Sequence, residues 1–178
     1  MTAADEYGPG YIVTQAERDL AVEQWLLAAA PDRPLACAEW DDAGSTFLRC
    51  GGILAALGIP ADLVHAALDT TERGAVAERL AVALHHGPVV VDERGGYVAL
   101  VRPGSVRQMR LLSARVTYFG RGFRLEVPRP GLADPALHGH RPYWAVPMDG
   151  PGDLCQPAAV IQLATVGRYR QFREGALK

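Results

Sequence analysis

Apolar positions in this chain follow two rhythms, a helical spacing near three to four and short extended runs closed by Gly or Pro. The helical rhythm opens at Thr14-x-x-Glu17, a capping box in which hydroxyl and carboxylate satisfy free backbone N–H groups. The positions that follow, Ala16, Leu20, Trp25-Leu26-Leu27 and Ala28 to Ala30, predict a helix to about Ala30, stopped by Pro31 and Pro34. A short helical piece from Leu35 to Trp40 leads into an Asp41–Ser45 loop, and Phe47 to Cys50 reads as a strand. Ile53 to Ile59 fits either strand or helix. Pro60 suits the first turn of a helix over Ala61 to Leu68, and a further helix runs from about Glu72 to Leu84.

The extended rhythm dominates from there. Val89–Val91 and Tyr97–Val101 flank Asp92-Glu93-Arg94-Gly95-Gly96, a hairpin signal with glycine available for positive φ. Val106 to Leu112 reads as a short helical turn. Arg115–Tyr118 and Phe123–Val127 read as strands joined around Phe119–Gly122, residues 130–142 as a loop, and Tyr143–Val146 as a strand. Asp153 or Gln156 opens a last helix to about Phe172, with Pro157 in its first turn. The expected fold is therefore α+β, with a mixed or mostly antiparallel sheet and helices packed on one face. A loosely attached arm (residues 1–13) precedes a single domain over 14–178, with no internal repeat.

Composition narrows the class. The chain has 178 residues, 49% of them hydrophobic and 21% charged, in the range of globular domains. No apolar run approaches the roughly 20 residues that span a bilayer. The first residues, Met1 to Glu6, are acidic where a secretory signal would be basic, so a cytoplasmic protein is expected, with no membrane partner. Cys37, Cys50 and Cys155 are odd in number and widely spaced, unlike a disulfide framework or a zinc site. There is no Asn, and Lys178 is the only lysine, a bias expected of a GC-rich genome. Between Arg102 and Arg129, seven arginines face a single acid, Glu126, for a local net charge of about +6 in a chain whose total is -2. Such a segment attracts phosphates if its arginines gather on one surface. It is ordinary solvated strand if they do not.

Candidate chemistry is sparse. Glu39, Asp41 and Asp42 form the densest acidic cluster, able to hold Mg2+ if the carboxylates converge, yet Asp-Asp-Ala-Gly is also common loop chemistry. Asp92 and Glu93 lie in the hairpin turn and point to opposite sides if extended. Asp41, Asp42 and Asp92 are the catalytic candidates, and no metal set is assigned. His85-His86 and His138-Gly139-His140 lack an evident third ligand, and His65 lies on a helix. Ser45 and Ser105 have no base that sequence identifies, and phosphate-loop, dinucleotide and nucleophile-elbow motifs are absent. Tyr118, Phe119, Phe123, Tyr143 and Trp144 interleave with the basic segment, which suits either stacking on bases or core packing. The ligand-binding candidates are Arg102, Arg121, Arg124, Arg129, Tyr118 and Trp144.

Several short motifs recur in a recognisable order. They are Cys50-Gly51-Gly52 before the Pro60 helix, Gly87-Pro88-Val89-Val90, Arg102-Pro103-Gly104-Ser105, Val127-Pro128-Arg129-Pro130-Gly131, and Tyr143-Trp144-Ala145-Val146-Pro147. In this order, over about residues 47 to 165, the chain resembles actinobacterial bifunctional DNA primase/polymerase-like proteins of the archaeo-eukaryotic primase superfamily. The resemblance implies an RRM-like sheet. Active members carry a paired acidic motif on a strand, a histidine after a small residue, and a third acid. No such pair stands on a strand here. The expectation is a non-catalytic domain binding nucleotide, nucleic acid or a protein partner through its sheet and basic segment. A metal-dependent nucleotidyltransferase, with Mg2+ at an atypical acidic site, and a regulatory or structural interaction module (a homo-oligomer included) are the alternatives.

Overall fold

The structure, a computed structural model, describes residues 14–105, 115–133 and 142–176. The expected arm (1–13), the helical turn at 106–112, most of the 130–142 loop, Arg107, Arg110, His138 and His140 lie outside the described residues. Helix α1 (Gln15–Leu26) opens on the capping box, with the Thr14 N–H donating to Glu17 Oε2 at 2.7 Å, and a 3-10 turn, Leu27–Ala29, extends it. Helix α2 (Arg33–Ala43) starts at Asp32, whose carboxylate accepts from the Leu35 N–H at 3.0 Å. It runs through Asp41 and Asp42, where sequence suggested a loop, because the first residue able to end it in the left-handed region is Gly44, at φ 75°.

Strand β1 (Ser45–Arg49) follows, and β2 (Ala55–Ile59) resolves the ambiguous apolar run as a strand buried on both sides. Helices α3 (Ala61–Leu68) and α4 (Arg73–Ala83) lead to the hairpin of β3 (Val89–Val91) and β4 (Tyr97–Val101), paired Val89 to Ala99 and Val91 to Tyr97. Then come β5 (Thr117–Phe119), β6 (Arg124–Pro128), β7 (Tyr143–Val146) and the long α5 (Pro157–Ala176). The fold is α+β with antiparallel sheets. The main sheet has the order β5-β2-β4-β3-β7, while β1 and β6 form a separate two-stranded ribbon. Thus β5 and β6, neighbours in sequence, do not pair: β5 joins β2, and the chain then crosses to the ribbon.

Period-two alternation splits the main sheet between two cores. Ala55, Leu57, Val89, Ala99 and Val101 face α3, α4 and α5, with Leu63, Leu80 and Val160 buried against them. Ala56, Val90, Val98, Leu100 and Trp144 face α1, α2 and the ribbon, meeting Leu26, Trp40, Leu48 and Val127. Helices therefore cover both faces, not the single face expected. The placement has a direct cost for the idea of a ligand on the central sheet. Among the described residues both faces are filled by side chains, and no open platform is left there.

Candidate functional site

With the main sheet covered, the ribbon carries the exposed β surface. On β1 the side chains alternate: Thr46 and Leu48 turn inward, while Phe47 and Arg49 turn out. On β6, Leu125 and Val127 turn inward and Arg124 is exposed. The register sets Arg49 directly opposite Arg124, and Phe47 opposite Glu126. Beyond them the Cys50 N–H donates to the Phe123 carbonyl at 2.9 Å, which closes the ribbon end. Arg121 is brought in by Gly51, at φ 97°, where a Cβ would lie 2.6 Å from the Arg121 Cα.

Arg49, Arg121 and Arg124 thus gather at one end of the ribbon, and among the described residues none of them makes an ion pair. Like charges directly opposite on paired strands cost roughly 0.2–1 kcal/mol. Glu126, the acid on this face, is occupied by the Ser45 hydroxyl at 2.6 Å. Two exposed aromatic residues belong to the same ribbon, Phe47 two residues before Arg49 on β1 at 49% exposure and Phe123 just before β6 at 51%. Phe123 stands edge-on to Phe119, with centroids 5.7 Å apart, and Phe119 packs into the core beneath. The arrangement offers guanidinium donors and partly open rings on a backbone-locked frame. Those groups bind anions and flat ring systems. They do not assemble a general base or a nucleophile.

The other described arginines of the basic segment, Arg102, Arg115 and Arg129, go elsewhere. Arg129 pairs with Asp41 at 2.6 Å and Glu23 at 3.5 Å, bordering a cleft of about 460 Å3 with Trp40, Asp42 and Gly131. Arg115 pairs with Asp62 of α3 at 3.0 Å, on the helical side of the sheet. There the Gln171 amide and Arg115 together hold the Asp62 carboxyl below its ordinary value. Arg102 lines a separate cleft of about 530 Å3 with His85, His86, Asp149 and Asp153, where two acids offset it. The described arginines of the +6 segment therefore occupy several settings, not one patch.

The catalytic candidates are not brought together. Asp92 spends Oδ1 on its own turn, accepting from Arg94 N at 2.9 Å and Gly96 N at 2.8 Å. Asp41 serves Arg129, and Glu39 accepts from the buried Thr46 hydroxyl. Asp41 and Asp42 are exposed at the end of α2. Among the described residues no three His, Cys, Asp or Glu side chains converge on a point that a metal ion could occupy. His65 Nε2 stands 3.1 Å from the Tyr97 hydroxyl. Burial pushes the thiols of Cys50 and Cys155 up to about 11 and about 12, leaving both protonated at neutral pH.

Of the aromatic candidates, Trp144 is only 2% exposed, and its indole N–H donates to the Arg129 carbonyl at 3.0 Å, so its ring packs in the core. Tyr118 is half-buried, its ring lying over Gly120 and against the helical core, away from the ribbon. Sequence reasoning overlooked Arg49 and Phe47. The available signal was the alternation Thr46-Phe47-Leu48-Arg49, which turns both outward once Leu48 is assigned to the core. Their meeting with Arg121 and Arg124 depends on a long-range pairing.

No family model, curated protein or solved structure matches this chain. No helix among the described residues is long and apolar enough to cross a membrane.

Proposed function

We propose that the protein is a non-catalytic, primase/polymerase-like binding module for single-stranded nucleic acid, engaged at the end of the β1–β6 ribbon. The carrying observation is the cross-strand pair Arg49–Arg124, kept without an acidic partner among the described residues beside Arg121 and two exposed phenylalanines. Guanidinium groups neutralise phosphates, and open rings stack on bases of any identity. A duplex hides its base faces, so the rings favour single strands. The ribbon, rather than the main sheet, takes the ligand in this reading.

Nucleotidyl transfer gains no support from geometry, since Asp41 and Asp92 are committed to different local structures. The test is fluorescence anisotropy with labelled oligonucleotides of about 12 nucleotides, a length within the usual site range. With about three phosphates neutralised, log affinity should fall with log salt at a slope near -2. The single strand should bind more tightly than the matching duplex. Absence of binding at low salt, or binding indifferent to salt, would refute the reading.

A further inference from the structure

Helix α5 leads a double life along its length. Its first half is buried at Val160, Leu163, Ala164 and Gly167. Gly167 meets α3 so closely that a Cβ there would lie 2.1 Å from the Leu63 carbonyl oxygen. Beyond Gly167 none of the described residues is buried, yet large apolar side chains continue, with Tyr169 at 61% and Phe172 at 76% exposure. Thr165, Tyr169 and Phe172 recur at i, i+4 and i+7, the spacing of a helix face that expects a partner. With Arg168 they line a groove of about 360 Å3. Val166 and the 73%-exposed Val82 of α4 carry the apolar surface on into a second groove between α3, α4 and α5.

Charge at the rim identifies what covers this surface. Arg168, Arg170 and Arg173 stand against one acid, Glu174. Arg170 donates to the Ala66 carbonyl at 3.3 Å, and Arg168 makes no ion pair among the described residues. A second copy of the chain would bring the same guanidinium groups face to face. Nucleic acid fits less well, because aliphatic side chains, Val82, Ala159 and Val166, continue the surface and offer neither charge nor a stacking ring. We propose that the distal half of α5 docks an acidic amphipathic helix of a partner protein, apolar residues in the groove and carboxylates on Arg168 and Arg173. This face lies on the helical side of the main sheet, opposite the ribbon, so the two surfaces can be occupied together.

The test uses two labelled helical peptides of about 15 residues, long enough to hold a helix. They share leucines at i, i+3/i+4 and i+7 and differ only in Glu or Lys flanks. The Glu peptide should bind and the Lys peptide should not. Tyr169→Ala with Phe172→Ala should weaken the Glu peptide about tenfold or more, as loss of interface anchors does. Arg168→Glu with Arg173→Glu should transfer preference to the Lys peptide. All four positions are exposed, and surface substitutions of this kind shift stability by roughly 0.5 kcal/mol or less. Arg124→Glu should leave peptide binding intact, which separates this inference from the ribbon reading. Failure of both peptides, equal binding of both, or no transfer of preference overturns the proposal. So does self-association abolished by Phe172→Ala, which assigns the stripe to a second copy. Oligonucleotide binding lost with Tyr169 and Phe172 but kept in Arg124→Glu assigns it to nucleic acid and likewise overturns it.

Discussion

Strand β6 carries Arg124 at its start and is followed directly by Arg129, and the two guanidinium groups live under opposite rules. Arg129 is surrounded: Asp41 at 2.6 Å and Glu23 at 3.5 Å share its charge and so join α2 and α1 to the end of the ribbon. Its backbone is also used, with its N–H donating to Gly44 at 2.9 Å and its carbonyl accepting from the Trp144 indole. Arg124 faces Arg49 instead. One end of the strand is compensated and the other is left in conflict. A local rule broken without an internal compensation is where a site outside the fold's own needs is to be sought. Arginine count in a segment says little by itself; the partners of each arginine decide whether it holds the molecule together or waits for something else.

The strongest way to break this contrast is charge reversal at each end. Arg124→Glu turns the Arg49 conflict into an attractive cross-strand pair, so stability should rise by a few tenths to about 1 kcal/mol. Single-strand affinity at low salt should nonetheless fall about 30-fold, close to 2 kcal/mol, since a phosphate contact is replaced by repulsion. Arg129→Glu should do the reverse, lowering the melting temperature while leaving affinity within about threefold, because its charge is already neutralised locally. Equal losses of affinity from the two variants would mean that binding follows net charge, and the ribbon end would hold no special place.

Sequence and structure agree where the determinants are local. The Thr14–Glu17 capping box and the β3–β4 hairpin were legible because donors, acceptors and turn glycines lie within a few residues of one another. The α+β class followed from the two hydrophobic rhythms. The ribbon was not legible as a ribbon: residues 45–49 pair with 124–128, and nothing local in either strand names its partner. Phe123–Val127 read as continuing from Arg115–Tyr118, yet the first joins β1 and the second β2. Trp144 illustrates the same limit. Interleaving with arginines suggested a stacking ring, whereas alternation in a sheet covered on both sides put it in the core. Arg121 and Arg124 were named from charge alone, while Arg49 needed the register.

The two ends of β6 also differ in their backbone, at Gly51 and Gly131. At the ribbon end, Gly51 combines φ 97° with a Cβ position 2.6 Å from the Arg121 Cα, a contact with backbone that cannot swing aside. Gly51→Ala should cost about 1–2 kcal/mol, from both the left-handed strain and the displaced loop. It should also weaken single-strand binding, since Arg121 moves with that loop. Near Arg129, Gly131 has φ 84°, but among the described residues a Cβ there would meet only the Asp19 carboxylate, at 3.4 Å. Gly131→Ala should cost about 1 kcal/mol or less, from backbone strain alone, with binding unchanged. Denaturant unfolding of the two variants, read beside anisotropy, separates a frame that positions a ligand contact from a turn that only closes a loop.

The smallest expected effect tests what the compensated end is worth. Asp41 lies closer to Arg129 than Glu23 does, but its side chain is 69% exposed against 19% for Glu23. Water and salt screen the nearer pair, and exposed ion pairs contribute about 0–1 kcal/mol. Asp41→Asn should therefore lower stability by roughly 0.3 kcal/mol at low salt, a difference that fades as ionic strength rises past about 0.15 M. Glu23→Gln, at the longer distance, should cost more and keep its cost in salt, because its carboxylate is better shielded from solvent. Urea titrations at two salt concentrations read both differences. A larger loss at Asp41 would show that separation outweighs burial at this junction, with solvent screening the Arg129 pair less than its exposure implies.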